Sequence, residues 1–268
     1  MTDKTILITG STDGIGRQTA LELAASGATI LVHGRDAQRG KNVVEEIRTA
    51  TGNRNVELLI ADFSSMDNVR RLAADVKARC TKLQVLINNA GVFMNERRLT
   101  ADGFETTFAV NHLAPFLLTN LLLDLLKASS PARIVTVSSV AHTRAKLDFD
   151  NLQAEKHFGG YSSYALSKLA NVLFTYELSE KLAGTGVTAN CLHPGVIGTK
   201  LLRAGFNIQG ASPADGAEPL LYLAISPEVE GVTGRYFQEN IETPSSSITH
   251  DSIARKKLWD LSAQLTGL

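Results

Sequence analysis

Thr5-Ile-Leu-Ile-Thr9-Gly10-Ser-Thr-Asp-Gly14-Ile-Gly16 starts as a continuously apolar run and breaks into glycines. Apolar and β-branched residues without polar alternation are what a central parallel strand needs when both its faces are covered. The glycines let the backbone turn sharply, and the stretch from Ile15 to Ser26 then reads as a helix ended by Gly27. Strand, glycine turn and helix in that order make a cradle for a pyrophosphate, because free amides at a helix N-terminus meet the negative charge. The spacing G-x-x-x-G-x-G departs from the G-x-G-x-x-G fingerprint, so the turn alone also fits a plain connection.

The same alternation continues outward. Strand-like runs fall at 29–33, 56–60, 83–88, 133–138, 187–192 and 234–237. Helical patterns fall between them at about 38–50, 66–78, 104–127, 164–183 and 213–225, with a last one at 253–265 and a loop over 193–210. Strands spaced by helices predict an α/β fold, a doubly wound parallel sheet with helices on both faces. A chain of 268 residues, 44% of them hydrophobic, suits one domain over 1–268.

Composition narrows the partners. Twenty-seven basic and twenty-seven acidic residues leave no net charge and no basic stripe, which argues against nucleic acid. Cys80 and Cys191 are far apart, and the six histidines lack ligand spacing, so neither a disulfide nor a metal site is expected. Met1 to Lys4 leads straight into the first strand without a signal peptide, and the apolar stretch from Leu113 to Leu126 is interrupted by Pro115, Asn120 and Asp124. The expectation is a cytoplasmic protein with no membrane contact.

Tyr164-Ala-Leu-Ser167-Lys168 carries the chemistry. On a helix, positions four apart share a face. A phenol ionises near pH 10, but a fixed cation close by favours the phenolate, so Tyr and Lys together become proton-transfer equipment. An isolated Y-x-x-x-K more often belongs to an ordinary amphipathic helix; its setting reverses that balance here.

Thr9-Gly10-x-x-x-Gly14-x-Gly16, Asn88-Asn89-Ala90-Gly91, Asn111, Ser139, Tyr164-x-x-x-Lys168 and Pro194-Gly195 stand in the order of the short-chain dehydrogenase/reductase family, which the chain resembles over nearly its whole length. Val137-Ser-Ser-Val-Ala-His142, His193-Pro-Gly-Val196 and Leu258-Trp259 with Ser262 are similar to the retinol-dehydrogenase-like branch. The resemblance implies a Rossmann-type core, a nicotinamide cofactor and alcohol/carbonyl oxidoreduction. It makes Tyr164 the acid/base, Lys168 its partner and the holder of the nicotinamide ribose, Ser139 a donor to the substrate oxygen, and Asn111 the anchor of a water path to Lys168. Cofactor contacts are expected from Gly10, Ser11, Asp13, Gly14, Ile15, Gly16, Asp62, Phe63, Asn89, Ala90, Gly91, Pro194, Gly195, Val196 and Thr199, besides Tyr164 and Lys168.

NADP rather than NAD is expected. An NAD site places an acid near the end of the second strand to bind the ribose 2′-hydroxyl. Here Gly34 stands in that place with Arg35 beside it, and Arg17 falls where the family has a second basic contact for a 2′-phosphate. Asp36 reads as a cap of the next helix.

From Ser139 to Tyr164 is 164 − 139 = 25 residues, and the extra stretch at 143–160 reads as a loop shaping the mouth of the site. The loop at 196–210, flexible at Gly198, Gly205 and Gly210, is expected to close over a small carbonyl or alcohol substrate. Members of the branch often carry an N-terminal membrane anchor, and its absence here points to a soluble enzyme acting on a hydrophobic aldehyde, ketone or alcohol. A homodimer or homotetramer through the helices holding Phe116–Lys127 and Ser167–Leu182 follows from the resemblance. The competing readings are a redox-inactive NADP(H)-binding regulator and an epimerase or dehydratase using the same Tyr and Lys.

Overall fold

The computed structural model describes residues 1–206 and 208–268. The chain begins β1 (Thr5–Ile8), α1 (Gly14–Ala25), β2 (Thr29–Gly34), α2 (Ala37–Thr51), β3 (Val56–Ile60), α3 (Met66–Arg79) and β4 (Val85–Asn88). A helical run follows: α4 (Thr106–Phe108), a π-helical stretch Ala109–Leu113, and α5 (Ala114–Ala128). Then come β5 (Ala132–Val137), α6 (Gly160–Lys181), β6 (Val187–His193), α7 (Lys200–Gly205), α8 (Pro213–Ile225), β7 (Tyr236–Gln238), β8 (Ile241–Glu242) and α9 (Ser252–Thr266). The strands form one sheet in the order β3-β2-β1-β4-β5-β6-β7-β8, parallel except for the final antiparallel pair. This is the expected doubly wound Rossmann-type sheet, with β8 added at its edge.

The continuous apolarity of β1 has a simple cause. Ile6 and Ile8 point into one core, with Leu23 of α1 and Leu220 of α8; Leu7 points into the other, with Leu117 of α5 and Leu169 of α6. Successive side chains leave a strand on opposite faces, so a strand covered on both sides has no room for polar alternation. The run Thr106–Ala128 is long and apolar enough to cross a membrane, but 72% of its most apolar window is buried, and Leu113, Leu117, Leu118 and Leu122 are fully enclosed. It is a core helix.

The π-helical stretch interrupts what the sequence pattern presents as one regular helix. Residue Asn111 lies in that wider turn, the kind of local irregularity that helices keep near functional sites. Helix α6 is buried continuously from Ser163 to Leu178. Its outward face, and that of α5, is covered by α9: Trp259 packs edge-on against Phe116 at 5.0 Å and stacks on Phe174 at 5.8 Å. His112 meets the Ser262 hydroxyl at 2.8 Å. On the two helices expected to form a subunit interface, α9 thus covers the part around Phe116 and Phe174, while Asp124 and Lys127 of α5 stay exposed.

Candidate active site

Strands β1 and β4 are neighbours in the sheet although the chain leaves β1 toward β2, so helices depart in opposite directions from this point. Such a switch opens a crevice at the carboxyl ends of the strands. A cleft of about 840 Å³ lies there, running from the glycine turn past β4 and β5 to α7.

Thr9 and Asn89 hold its floor. The Thr9 hydroxyl accepts the amides of Asn89 at 2.9 Å and Ala90 at 3.0 Å, and the Asn89 side chain donates back to the Thr9 carbonyl at 2.8 Å. Gly10 and Gly14 have φ of +66° and +53°, which side chains resist. At Gly16 the reason is proximity: a Cβ there would lie 2.4 Å from Asn89 Nδ2 and 2.6 Å from the Gly10 carbonyl. Asp13 caps α1 through the Gly14 amide and ion-pairs with Lys200 at 2.5 Å and Arg39 at 3.9 Å. His33 braces the turn from behind, its Nδ1 accepting the Gly10 amide at 3.1 Å while Nε2 meets the Ala61 carbonyl at 3.2 Å. The result is a glycine turn with little side chain at a helix N-terminus, its Asp13 carboxylate paired with Lys200 and Arg39, which fits a pyrophosphate.

At the β2 end of the cleft, Gly34 excludes a side chain altogether, since its Cβ would meet Thr12 at 2.5 Å. Arg35 is exposed and, among the described residues, makes no ion pair. Asp36 accepts the Arg39 amide at 2.9 Å and caps α2 as expected. Asp62, Phe63, Asn89, Ala90 and Gly91 line the cleft, as do Ile15, Pro194, Gly195, Val196 and Thr199. Two of the expected cofactor contacts do not. Arg17 points away and pairs with Glu46 on α2, so an exposed acid 29 residues on claims the second expected phosphate contact. The Ser11 hydroxyl is buried, donating to the Ile8 carbonyl at 2.7 Å and accepting the His33 amide at 2.9 Å. Arg39 and Lys200, which pattern reading did not single out, line the cleft instead; Arg39 lies in the first turn of α2, just past the Asp36 cap, and its closeness in sequence to Arg35 is the signal that would have found it.

Ser139, at the end of β5, and Tyr164 and Lys168, one turn apart on α6, converge at the other end. The Lys168 ammonium donates to the Val137 carbonyl at 3.0 Å and lies 5.6 Å from the Tyr164 ring centroid. Ser138 is structural, its hydroxyl donating to the Lys168 carbonyl at 2.8 Å. Asn111 does not line the cleft; its amide donates to the Val92 carbonyl and the Ser167 hydroxyl, each at 3.0 Å, and accepts the Val92 amide at 2.8 Å. Gly91 lies between it and Lys168: a Cβ there would stand 3.4 Å from Asn111 Oδ1 and 3.7 Å from Lys168 Nζ, though no hydrogen bond joins the two among the described residues.

Burial opposes the expected electrostatics. The Tyr164 phenol is pushed up to about 12, first by burial, against which the Ser139 hydrogen bond pulls down. Burial also pushes the Lys168 ammonium down to about 8. Desolvation disfavours the charged form of both groups and so works against the effect expected of a neighbouring cation.

Above Tyr164 the cleft is apolar. Phe93 packs on Tyr164 at 5.6 Å and on Phe206 at 5.4 Å, and Tyr161 meets Phe206 at 6.0 Å. The stretch 196–210 is not all loop, since α7 lies within it; Asn207 falls outside the described residues. Its glycines serve close packing: a Cβ on Gly205 would meet the Phe93 ring at 2.6 Å, and one on Gly210 the Gly198 amide at 2.4 Å. None of the stretch 143–160 lines the cleft itself, and Leu152 and Ala154 in its middle are buried, but its ends back the site: Ala145 packs against Phe93 and Tyr164, and a Cβ on Gly160 would meet the Phe93 ring at 3.1 Å.

Comparison with known proteins agrees with this geometry. The short chain dehydrogenase family model matches residues 4–207. Human retinol dehydrogenase 11 is 42% identical over 275 residues, covering 99% of this chain and 86% of that protein, and human polyprenol dehydrogenase is 42% identical over 283 residues with the same coverage. A crystal structure from Mycobacterium Paratuberculosis superposes with a TM-score of 0.83 at 33% identity, covering 99% of this chain and 94% of that one. A short chain dehydrogenase of Escherichia coli CFT073, crystallised with NADPH, gives 0.72 at 26% identity, covering 88% and 95%. With the glycine turn, Ser139, Tyr164 and Lys168 gathered on one cleft, the chain belongs to the short-chain dehydrogenase/reductase family of oxidoreductases and is retinol-dehydrogenase-like within it.

Proposed function

We propose that the protein interconverts an apolar aldehyde or ketone and its alcohol with NADP(H), Tyr164 serving as general acid/base. The observation that carries this is one cleft with Ser139, Tyr164 and Lys168 at its apolar end and an unpaired Arg35 beside a side-chain-free Gly34 at the other. A bound nicotinamide supplies or accepts the hydride. The chain's part is to hold the carbonyl oxygen between the Ser139 and Tyr164 hydroxyls and to move a proton at Tyr164 Oη. The Tyr164 phenol holds its proton at neutral pH and can give it to a carbonyl oxygen as hydride arrives, taking it back in the oxidation direction. Ser139 stabilises the negative charge that develops on that oxygen.

Gly34 and Arg35 support NADP: no acid can stand where a ribose 2′-hydroxyl would be bound, and a guanidinium is free to take a phosphate. The rings of Phe93, Tyr161 and Phe206 support an apolar substrate, the class named in the retinol and polyprenol dehydrogenases. With α9 over α5 and α6, the proposal includes a working monomer: light scattering would return 28.8 kDa, and twice that mass would refute it. A cytoplasmic setting free of membranes also stays part of the proposal, tested by fractionation of cells expressing the full chain. The direct test is oxidation of NADPH and NADH with hexanal, decanal, benzaldehyde and all-trans-retinal. Faster turnover with NADPH, rising with substrate apolarity, is expected; no turnover of any, or a preference for NADH, would overturn the reading.

A further inference from the structure

His142 is fully buried three residues beyond Ser139, and nothing in the proposed chemistry uses it. It lies in a 3-10 turn, Val140–Arg144, whose N-cap is Ser139. The Ser139 carbonyl accepts the His142 backbone amide at 3.0 Å, the ordinary closure of such a turn. It is also met by His142 Nδ1 at 2.7 Å. On the other side of the ring, Nε2 faces the backbone amide of Ser246 at 3.2 Å. A carbonyl only accepts and an amide only donates, so the two partners fix one neutral tautomer, with the proton on Nδ1 and the lone pair on Nε2. Tyr236 packs edge-on against the ring at 4.7 Å and prevents it from turning over.

Ser139 is thereby gripped twice by one residue, and the grip is backed by a segment 104 residues along the chain. The serine's own side chain gets little local support: its Oγ accepts the Ala141 amide at 3.2 Å. We propose that His142 is a positioning residue, its Nδ1–H clamping the Ser139 carbonyl so that the Ser139 hydroxyl is aimed at the substrate oxygen and Tyr164. Ser246 acts through it by holding the ring in register. This rests on the role given to Ser139 above. Because misplacement of a catalytic group by a fraction of an ångström to 1 Å costs up to about 10²-fold, losing the clamp should be read in kcat and not in cofactor affinity.

Two amide side chains separate the halves of the imidazole. In His142→Asn the side-chain NH₂ takes the place of Nδ1–H and keeps the Ser139 bond while losing Ser246. In His142→Gln the side-chain oxygen takes the place of Nε2 and keeps Ser246 while losing the clamp. Measured with NADPH and the aldehyde of the panel turned over fastest, kcat of the asparagine variant should exceed that of the glutamine variant by about tenfold or more. The NADPH Kd, from the fluorescence of the bound dihydronicotinamide, should stay within about twofold of the parent in both. In a Ser139→Ala background the difference should vanish, because residues acting through one another are not additive. Equal kcat in the two variants, a higher kcat for glutamine, a Kd that weakens in step with kcat, or a difference that persists without Ser139 would each overturn the assignment. If the glutamine protein does not fold, the asparagine protein decides by itself: at unchanged Tm, a kcat more than about tenfold below the parent overturns the clamp. Ser139→Ala alone keeps the two failures apart, since undiminished turnover there refutes the role of Ser139 and leaves nothing for His142 to position.

Discussion

Replacing Arg35 by alanine tests the cofactor assignment where it is most exposed to failure. A charge-assisted hydrogen bond contributes about 1.5 to 3 kcal/mol, and about 1.36 kcal/mol is a factor of ten, so one lost phosphate contact corresponds to roughly 10- to 150-fold. The structure favours the lower end. Arg35 is exposed, where salt and water screen its charge, and Arg39 lies in the first turn of α2 on the same cleft and can share a phosphate. The expected result for Arg35→Ala is a roughly tenfold fall in kcat/KM for NADPH with NADH almost unaffected, growing when Arg39→Ala is added. Arg17→Ala is the built-in contrast: its guanidinium is engaged with Glu46 and points away from the cleft, so the NADPH/NADH ratio should move by less than about twofold. Both ratios come from initial rates at two or three ionic strengths, with the Arg35 effect shrinking as salt rises. An Arg35 variant that keeps its NADPH/NADH ratio, or an Arg17 variant that loses it, would refute the reasoning.

Tyr164→Phe removes the proton donor while leaving the ring packed on Phe93, so turnover should fall by a factor of about 10² or more with NADPH still bound; activity within a few-fold of the parent would count against the phenol. Gly16→Ala forces a methyl group against Asn89 and the Gly10 carbonyl, neither able to yield far; overpacking of about 1 to 3 kcal/mol should lower Tm and weaken NADPH binding, and a variant with parental Tm and Kd would show that the turn is looser than the distances imply. Acid should destabilise the fold well before carboxylates titrate. Burial pushes His33, His112 and His193 down from 6.5 to about 4, so between these values the unfolded chain binds protons that the folded one refuses. Stability is then full above pH 6.5 and declines as pH falls toward 4, by on the order of 1 kcal/mol per unit for each histidine; a Tm that is flat or rising from pH 7 to pH 5 would contradict this.

Much of this protein is written locally. The two-sided burial of β1 follows from Ile6, Leu7 and Ile8 because a strand between two helical layers has no polar face to show. The cradle is legible for a similar reason, since glycines at 10, 14 and 16 bend a backbone whose amides are already at a helix start, and the phenol and ammonium of α6 stand one turn apart by periodicity alone. Tertiary structure decided which of the candidates reach the cleft. Arg17 and Arg35 look alike in sequence, yet Glu46 draws one to the surface of α2 and leaves the other free. Residues 143–160 look like a mouth loop, yet only their ends reach the site, where Ala145 and Gly160 back Phe93, and Trp259 of the same chain packs on Phe116 and Phe174 of the helices expected to pair between subunits. The sign of the Tyr164 shift belongs to the same class. Sequence places a cation four residues away, but how much water each group loses depends on what Phe93, Phe206 and the sheet put around it, and that desolvation pushes the phenol up.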